Sequence, residues 1–403
     1  MRNNKGKSMT IKNAQIFDGV SEQLLEGDIR IEDGRIVEIG AKVNADLPII
    51  DAKGSVVSPG LIDNHFHAYG SALNMLELDG RPLSLIALES IDRLSGALRR
   101  GFTTVRDVAG GDIGLAMAID KELIASPRYF YTGAALSQTG GHGDARPNHL
   151  DICCHGSHSV EVVDGVDNLR KAARDRFFKG AHAIKIMTSG GVISPTDPIR
   201  IPQYSAEEIR AVVDEARRRG SYVAAHSYSP EAIIHSVENG VRTIEHGNLL
   251  DKESAEAMAK HGAYLVPTLA AYDAMARRGD EIQLSEVGKA KNAEVLDAGV
   301  KAIEIAHNHK IKIGFGSDLM GDLHNDQLQG IRLQHEVQSV FELLKSLTSV
   351  NAEILQMQDV GVIKVGAYGD LLILGGNPFE KPNLLWSENE NRKVIFNGSL
   401  IKI

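Results

Sequence analysis

Short apolar runs alternate with amphipathic stretches from residue 61 to residue 317, and this alternation constrains the fold of the 403-residue chain more than any other feature. Apolar strands separated by amphipathic helices indicate a parallel sheet that is covered by helices. Eight such strands over about 300 residues are typical of a (β/α)8 TIM barrel, with an open doubly wound sheet as the alternative. The predicted strands are 61–65, 103–107, 131–135, 183–187, 222–226, 243–246, 264–268 and 312–317.

One helix between these strands has clear start and stop signals. It is predicted over 206–219, where Ser205 is suited to be the N-cap and Glu208 completes a capping box. Apolar residues recur at helical spacing along one face, and Gly220 follows the last turn. These signals support the alternation of strands with helices.

Both ends of the chain have a different texture, in which short strands and turns replace the helices. Strands are predicted there at 10–17, 28–32, 35–39, 369–374 and 393–398. Asp33-Gly34, between the second and third of these, indicates a β-hairpin. We therefore predict an α/β protein in which residues 1–58 and 357–403 form a small composite β-sandwich and residues 59–356 form the barrel.

The composition excludes several classes of protein. Hydrophobic residues make up 43% of the chain and charged residues 24%, as in ordinary soluble globular proteins. The net charge of −9 offers no general attraction to nucleic acid or to an anionic membrane surface. No run of about 18 apolar residues occurs, and the N-terminal sequence MRNNKGKSMT is too polar for a signal peptide. We expect a cytoplasmic protein that binds neither nucleic acid nor membranes.

The cysteines, Cys153 and Cys154, are adjacent, which excludes a disulfide framework and favours a reducing compartment. His155 and His158 lie nearby and suggest a second metal cluster. Their spacing does not follow the C-x2-C and H-x3-H pattern of zinc sites, so a loop over the mouth of the barrel is the preferred interpretation.

Six residues suited to metal binding or acid–base chemistry fall in, or at the carboxyl ends of, predicted strands. Active sites of (β/α)8 barrels are built at that face, so the six side chains can converge. Residues two apart in a strand project to the same side, which allows the first two to reach one metal ion. Each residue alone also suits an ordinary structural role, but six coincidences favour a site. The six are His65, His67, Lys185, His226, His246 and Asp318.

The motifs around these residues resemble the amidohydrolase superfamily of metal-dependent hydrolases over nearly the full chain. They are SPGLIDNHFH at 58–67, GFTTVRD at 101–107, IEHG at 244–247, GSD at 316–318, and the tail segments 361–366 and 369–374. IKIMTSGG at 184–191 and TGGHG at 139–143 are similar to the branch that contains prolidase-type and other dipeptide hydrolases. The family fold is a (β/α)8 barrel with a β-sandwich assembled from both termini.

The resemblance implies two divalent metal ions, which we expect to be zinc. One ion would be bound by His65, His67 and Asp318, and the other by His226 and His246. Lys185 corresponds to the lysine that is carboxylated by carbon dioxide and bridges both ions. Burial favours the neutral amine that captures carbon dioxide. Asp318 would also transfer a proton from the attacking water to the leaving nitrogen, which makes it catalytic.

Catalytic and substrate-binding roles are implied for His142 and Tyr228, which match positions that touch substrate in the dipeptidase branch and could donate to a carbonyl or a carboxylate. A loop histidine and a surface tyrosine are the ordinary alternatives. Arg106, Arg146 and Arg200 are expected in or beside loops at the same face, where each could pair with a substrate carboxylate or merely be solvated.

The predicted function is the release of the C-terminal residue of a dipeptide or N-acyl amino acid, with prolidase-like Xaa-Pro cleavage preferred. The partner is therefore a small-molecule or dipeptide substrate, and we expect a homo-oligomer. A cyclic-amide or imidazolone hydrolase of the same superfamily is one alternative, although mononuclear imidazolone-type enzymes lack a residue like Lys185. A non-catalytic ligand-binding barrel is another, although it would be expected to have lost one of the six residues.

Overall fold

The computed structural model describes residues 7–44, 46–146, 158–194, 197–387 and 391–402. Cys153, Cys154 and His155 lie outside these ranges, and so does most of the loop predicted to cover the mouth of the barrel. Within the described ranges, strands and helices alternate through the middle of the chain, and strands predominate at both ends.

The strands are numbered in chain order. They are β1 (Met9–Ile16), β2 (Leu25–Glu32), β3 (Arg35–Gly40), β4 (Ile49–Asp51), β5 (Val56–Pro59), β6 (Leu61–Phe66), β7 (Phe102–Asp107), β8 (Arg128–Tyr131), β9 (Ala135–Ser137), β10 (Val160–Val162), β11 (Ile184–Met187), β12 (Val223–Ser227), β13 (Thr243–His246), β14 (Tyr264–Val266), β15 (Leu371–Ile373), β16 (Lys393–Phe396) and β17 (Ser399–Leu400).

The helices are numbered in the same way. They are α1 (Met75–Gly80), α2 (Leu83–Arg99), α3 (Ile113–Asp120), α4 (Val166–Phe178), α5 (Ala206–Arg218), α6 (Pro230–Glu238), α7 (Lys252–His261), α8 (Leu269–Arg278), α9 (Glu286–Asn308), α10 (Gln327–His335), α11 (Val340–Lys345) and α12 (Asn351–Ile354). A π-helical turn, Ser346–Val350, joins α11 to α12, and 3-10 turns lie at Gly321–Asp326 and Pro382–Leu385.

Strands from both ends of the chain form one eight-stranded terminal sheet, in the order β17-β16-β15-β5-β1-β2-β3 with β4 paired to β1. β5 and β15 are antiparallel, with Val57 opposite Ile373, so the sheet joins the two ends. The predicted hairpin between β2 and β3 is confirmed, because the two strands are antiparallel and Asp33 and Gly34 both have positive φ, as a type I′ turn requires. The sheet has an isoleucine-rich core of its own.

The strands between these ends form two parallel sheets, which confirms the α/β class. One sheet has the order β6-β7-β8 and the other the order β10-β9-β11-β12-β13-β14. Helices pack on one side of the strands, where Ile184 and Ile186 of β11 join a large apolar core. Since side chains alternate along a strand, Lys185 between them projects to the opposite side, where the cavity described below lies.

The predicted eighth strand, 312–317, is not present as a ladder strand. Only an isolated parallel bridge forms, between Leu265 and Ile313. The side-chain amide of Asn351 adds two hydrogen bonds to this segment, because its oxygen accepts from Phe315 N at 3.0 Å and its nitrogen donates to Phe315 O at 2.9 Å. Sequence periodicity cannot anticipate such contacts from a distant side chain.

Backbone hydrogen bonds connect the two parallel sheets in two places. On one side the segment 312–317 lies between β14 and β6, and on the other side β8 lies beside the start of β11. The connecting bonds are Gly314 N to Leu265 O at 2.8 Å, Asn64 N to Phe315 O at 2.9 Å and His182 N to Tyr131 O at 2.8 Å.

Two further predictions of local structure can be compared directly. The third strand, predicted over 131–135, is divided into β8 and β9, and Gly133 between them has a φ of 73°. A Cβ at Gly133 would lie 2.8 Å from the side chain of Arg176, so this bend requires glycine. The predicted helix is confirmed as α5, with a reciprocal capping box between Ser205 and Glu208.

Among the described residues, none of the helices combines the length and the apolar character needed to span a bilayer.

Candidate active site

The six predicted ligand residues line one cavity at the carboxyl ends of the parallel strands. Five of them are buried, and the side chain of Asp318 is 19% exposed. They come from β6 and the residue that follows it, from β11, β12 and β13, and from the end of the segment after β14. The six are His65, His67, Lys185, His226, His246 and Asp318.

The carboxylate of Asp318 lies among three of these imidazoles. Its Oδ1 atom is 2.9 Å from His67 Nε2 and 3.3 Å from His65 Nε2, and its Oδ2 atom is 3.6 Å from His246 Nδ1. Burial would raise the pKa of Asp318, but the charge and hydrogen bond of His65 and the hydrogen bond of His67 outweigh it and hold the pKa well below the ordinary value. Asp318 is therefore ionised at neutral pH.

Two of the site residues occupy the left-handed backbone region, which non-glycine residues rarely adopt. His246 has a φ of 71° and Asp318 a φ of 55°. Such a conformation costs about 1–3 kcal/mol and persists only where the surrounding structure enforces it. At both positions the chain leaves a strand or strand-like segment, so the strained turn sets the direction in which the side chain enters the cavity.

His226 and His246 are neutral imidazoles in the absence of a bound ion. Burial, followed by neighbouring positive groups, lowers the pKa of His226 well below its ordinary value, and burial does the same for His246. The two ring centroids are 4.6 Å apart. Neutral imidazole is the form that binds metal ions, so both side chains are suited to be ligands.

Lys185 is the one lysine that lines the described part of the cavity. Burial lowers the pKa of its amine to about 8, against the opposing pull of Glu245 and Asp318. An amine is half neutral when the pH equals its pKa, so near pH 8 about half of this amine is neutral. A neutral amine is the nucleophile that carboxylation requires.

The structure corrects the predicted placement of Arg106. Arg106 is not in a loop at the substrate face but in β7, where it is fully buried and donates to Glu245 Oε1 at 2.7 Å and to Asn64 O at 2.7 Å. Glu245 Oε2 lies 2.8 Å from His65 Nδ1. A charged residue inside a strand is stable here because its partner is buried with it, and the pair orients His65 from behind.

Arg146 and Arg200 also do not line the described cavity. Arg146 makes a two-pronged contact with Asp144, at 2.7 and 2.6 Å. Arg200 is 59% exposed and pairs with Glu294 at 2.7 Å. Each guanidinium is thus engaged by a carboxylate of this chain, and loop position alone could not reveal those partners.

Tyr228 and His142 both line the cavity. The Tyr228 hydroxyl is 2.6 Å from the hydroxyl of Tyr272, which in turn lies 2.9 Å from His246 Nδ1. Tyr228 is buried, so the alternative of a surface tyrosine is wrong. His142 stacks on His226 with a centroid distance of 4.2 Å and an interplanar angle of 13°.

Tyr272 and Glu245 are site residues that the sequence prediction missed. Tyr272 lies in α8 with no motif around it, so no sequence signal marks it. Glu245 immediately precedes His246 inside the quoted IEHG motif, and its position in an otherwise apolar strand was an available signal. Burial raises the pKa of Glu245, but Arg106 and His65 outweigh burial and keep the carboxylate ionised.

The cavity encloses about 870 Å³, including space that is open to solvent. This volume is in the range of small-molecule sites. Much of its lining is apolar and comes from segments that follow β6, β11, β14 and Asp318. The large apolar side chains of this lining are Leu73, Met75, Leu78, Val192, Ile193, Met275, Met320 and Leu323. His142, Gly143 and Ser159 also line the cavity.

The donor set is chemically suited to divalent ions. Ligand atoms of His65, His246 and Asp318 all lie within 4.8 Å of one another. Imidazoles with one carboxylate are ligands that zinc and similar ions prefer. His65 Nδ1 faces Glu245, which leaves Nε2 toward Asp318, as in metal sites where an outer carboxylate orients a histidine ligand.

Comparison with known proteins agrees with this geometry. Residues 56–401 match the amidohydrolase family. The chain belongs to the amidohydrolase family. The predicted resemblance is thereby confirmed, and membership supports a hydrolytic activity and the binding of divalent metal ions.

Three relatives of this amidohydrolase cover nearly all of the chain. A prolidase solved with N-methylphosphonate-L-proline is 44% identical, with a TM-score of 0.94 and coverage of 98% of this chain and 100% of that one. A Xaa-Pro dipeptidase solved with methionine in its active site is 28% identical, with a TM-score of 0.87 and coverage of 98% and 100%. Ochratoxinase from Aspergillus niger is 28% identical over 417 residues, which cover 96% of this chain and 85% of the relative.

We expect two divalent ions per chain when the purified protein is fully reconstituted, because the six clustered residues provide more donors than one ion uses. Elemental analysis measures the stoichiometry. His142→Asn is the matched control, since it removes a histidine of the cavity that is not among the six, and it should retain both ions. A stoichiometry of one or fewer would contradict the binuclear site.

Proposed function

We propose that this amidohydrolase releases the C-terminal residue of dipeptides or N-acyl amino acids, with Xaa-Pro substrates preferred. The observation that carries the proposal is the six-residue cluster in the cavity, in a chain that is 44% identical to a prolidase solved with N-methylphosphonate-L-proline. A Xaa-Pro dipeptidase among the relatives supports the same class of substrate.

Two metal ions, with zinc as the preferred identity, would be held by the clustered residues. His65, His67 and Asp318 would bind one ion, His226 and His246 the other, and carboxylated Lys185 would bridge them. The lowered pKa of the Lys185 amine supports its carboxylation. Such ions, when bound, would supply a water molecule of lowered pKa and polarise the substrate carbonyl.

The side chains of this chain divide the remaining work. Ionised Asp318 accepts a proton from the attacking water and donates it to the leaving nitrogen as the amide C–N bond breaks, so that amide and water yield an acid and an amine. His142 and Tyr228 lie at the cavity wall, where they orient the substrate. Arg106 and Glu245 hold His65 in place from behind. Arg146 and Arg200 have no part in this scheme.

We also propose that the parallel strands of the two middle sheets close into one barrel. The parallel strands β6, β7, β11, β12, β13 and β14, with β8 and β9 counted as one divided strand and with the segment 312–317, would form an eight-membered barrel over residues 59–356. The hydrogen bonds that connect the two parallel sheets in two places support this closure. The terminal sheet, from residues 1–58 and 357–403, is the second unit, and its separate apolar core supports that division.

Replacing Asp318 with asparagine is expected to lower kcat by at least about a hundredfold, the lower end of what general acid–base catalysis contributes. Steady-state kinetics and metal content must be measured on the same sample, because Asp318 is also a proposed ligand. Asp322→Asn, four residues further on in an exposed turn, is the control and should retain kcat. An unchanged kcat in metal-loaded Asp318→Asn would remove Asp318 from proton transfer.

A substrate screen tests the proposed function directly. Purified, reconstituted protein is assayed with Xaa-Pro, Xaa-Arg and N-acyl amino acids and with cyclic amides, while Xaa varies from apolar to acidic. Xaa-Pro with a large apolar Xaa should be cleaved best, since burying an unpaired charged side chain against the apolar lining of the cavity is unfavourable. Hydrolysis of cyclic amides alone would favour the alternative enzyme, and metal binding with no hydrolysis at all would favour the ligand-binding barrel.

A further inference from the structure

His142 is held by a carboxylate that lies outside the proposed metal site. The Nδ1 atom of His142 is 3.1 Å from Asp197 Oδ2. Asp197 is almost completely buried, and its pKa is lowered because contacts that include the His142 hydrogen bond outweigh the effect of burial. The same Oδ2 atom accepts from Gly191 N at 2.9 Å, so one carboxylate oxygen fixes both the ring and the loop beside it.

The backbone around this pair leaves the imidazole little freedom. The amide of His142 donates to Gln203 Oε1 at 3.0 Å. One face of the ring stacks on His226, and a Cβ placed on Gly191 would lie 2.1 to 2.6 Å from three ring atoms. Only glycine at 191 allows the ring to occupy this position.

Lys291 of α9 anchors the same loop from the other side. Its Nζ donates to the carbonyls of Gly191 at 3.0 Å, Ser194 at 2.7 Å and Asp197 at 2.9 Å. Three carbonyls satisfy the three protons of one ammonium group. The loop that carries Asp197 is therefore tied to the helix layer, and Asp197 is presented to His142 as a fixed partner.

We infer that Asp197 is a positioning residue that holds His142 in the Nδ1–H tautomer, with the other ring nitrogen, Nε2, left for the substrate. Within the described part of the chain, Nε2 makes no hydrogen bond to protein. A carboxylate partner selects the tautomer of a histidine and fixes its ring plane. The inference deepens the proposed function, on which it rests for the identity of the substrate.

The test is a double-mutant cycle between Asp197→Asn and His142→Asn, measured with a dipeptide that the wild type cleaves. Asp197→Asn should raise KM by about 10- to 100-fold, as for other partners that orient a functional histidine, with little change in kcat. In the His142→Asn background the same change should have no further effect, because the imidazole is gone and the asparagine side-chain oxygen can still accept from Gly191 N. Additive effects, or a loss confined to kcat, would overturn the inference.

Two further variants separate positioning from general damage to the fold. Gly191→Ala leaves Asp197 unchanged but places a methyl group against the ring, so it should raise KM in the same way. Asp164→Asn is the matched control, because Asp164 caps the turn at Thr139 without touching His142, and KM should stay within about threefold of the wild type. A normal KM in Gly191→Ala would count against the proposed ring position.

A spectroscopic measurement keeps the inference testable if no substrate is found. Ring nitrogen NMR of the metal-free and the metal-loaded protein reports the tautomer of His142, whose signals are assigned by their absence in His142→Asn. Nδ1 should be protonated in the wild type, and the proton should redistribute in Asp197→Asn. Failure of the proposed function would appear as absent hydrolysis by the wild type. Failure of this inference would appear as an Nε2–H tautomer in the wild type, or as a tautomer that Asp197→Asn leaves unchanged.

Discussion

Replacing Lys185 with alanine is expected to abolish hydrolysis and to reduce the bound metal well below two ions per chain. The side chain is buried in the cavity among the other five clustered residues, and its amine has a pKa of about 8. Removing it would take away the bridging carbamate and leave the clustered imidazoles without their shared anionic ligand. Elemental analysis and steady-state kinetics on one preparation measure both losses.

Chemical rescue distinguishes a bridging carbamate from a lysine that merely supports the fold. A small carboxylic acid such as acetate or propionate should partly restore metal and activity to Lys185→Ala, because it supplies the missing carboxylate. Lys171→Ala, on the exposed side of α4, is the control and should behave as the wild type in both assays. Full activity of Lys185→Ala without any added acid would refute the bridging role.

A substrate with a free C-terminal carboxylate is expected to be cleaved better than its C-terminal amide by up to about 10⁴-fold in kcat/KM. A site that hydrogen-bonds a specific polar group leaves its own groups unpaired when that group is missing. His142 and Tyr228 are the polar side chains proposed to meet the carboxylate, since no arginine lines the described cavity. Measuring kcat/KM for one matched acid and amide gives the ratio.

The ratio should fall in Tyr228→Phe and in His142→Asn if these side chains recognise the carboxylate. Tyr272→Phe is an informative companion, because the hydroxyls of Tyr272 and Tyr228 are 2.6 Å apart and the first orients the second. A wild-type ratio of less than about tenfold would indicate an apolar pocket that ignores the carboxylate. In that case the dipeptidase proposal fails and the cyclic-amide alternative takes its place.

The sequence predicted the α/β class and the group of six residues because both depend on local patterns. His65, His226 and His246 could be placed at strand ends from the apolar runs that precede them. Parallel strands present their carboxyl ends to one face, so residues far apart in the chain were expected to converge there. The structure brings these side chains into a single cavity.

Other features depend on partners that a local pattern does not specify. Arg106 was expected to face a substrate, but its guanidinium is neutralised by Glu245, which follows it by 139 positions. The segment 312–317 forms only an isolated bridge in place of the expected ladder, and Asn351 bonds to both backbone groups of Phe315 from 36 positions away. Asp197 reaches His142 across a separation of 55 residues. Only the folded chain identifies such pairs.

The terminal sheet also determines the order in which the molecule can be completed during synthesis. β5 pairs with β1 on one side and with β15 on the other, and Arg35 forms an ion pair with Asp359 across 324 positions of sequence. Contacts between residues so far apart in the sequence form slowly, because closing the long intervening loop costs conformational entropy before the contacts stabilise it. During synthesis on the ribosome, one edge of β5 would therefore remain unpaired until β15 has emerged. β5 directly precedes β6, the strand that carries His65. Premature termination before β15 would leave this edge of β5 unpaired, although every residue of the proposed site would already be present.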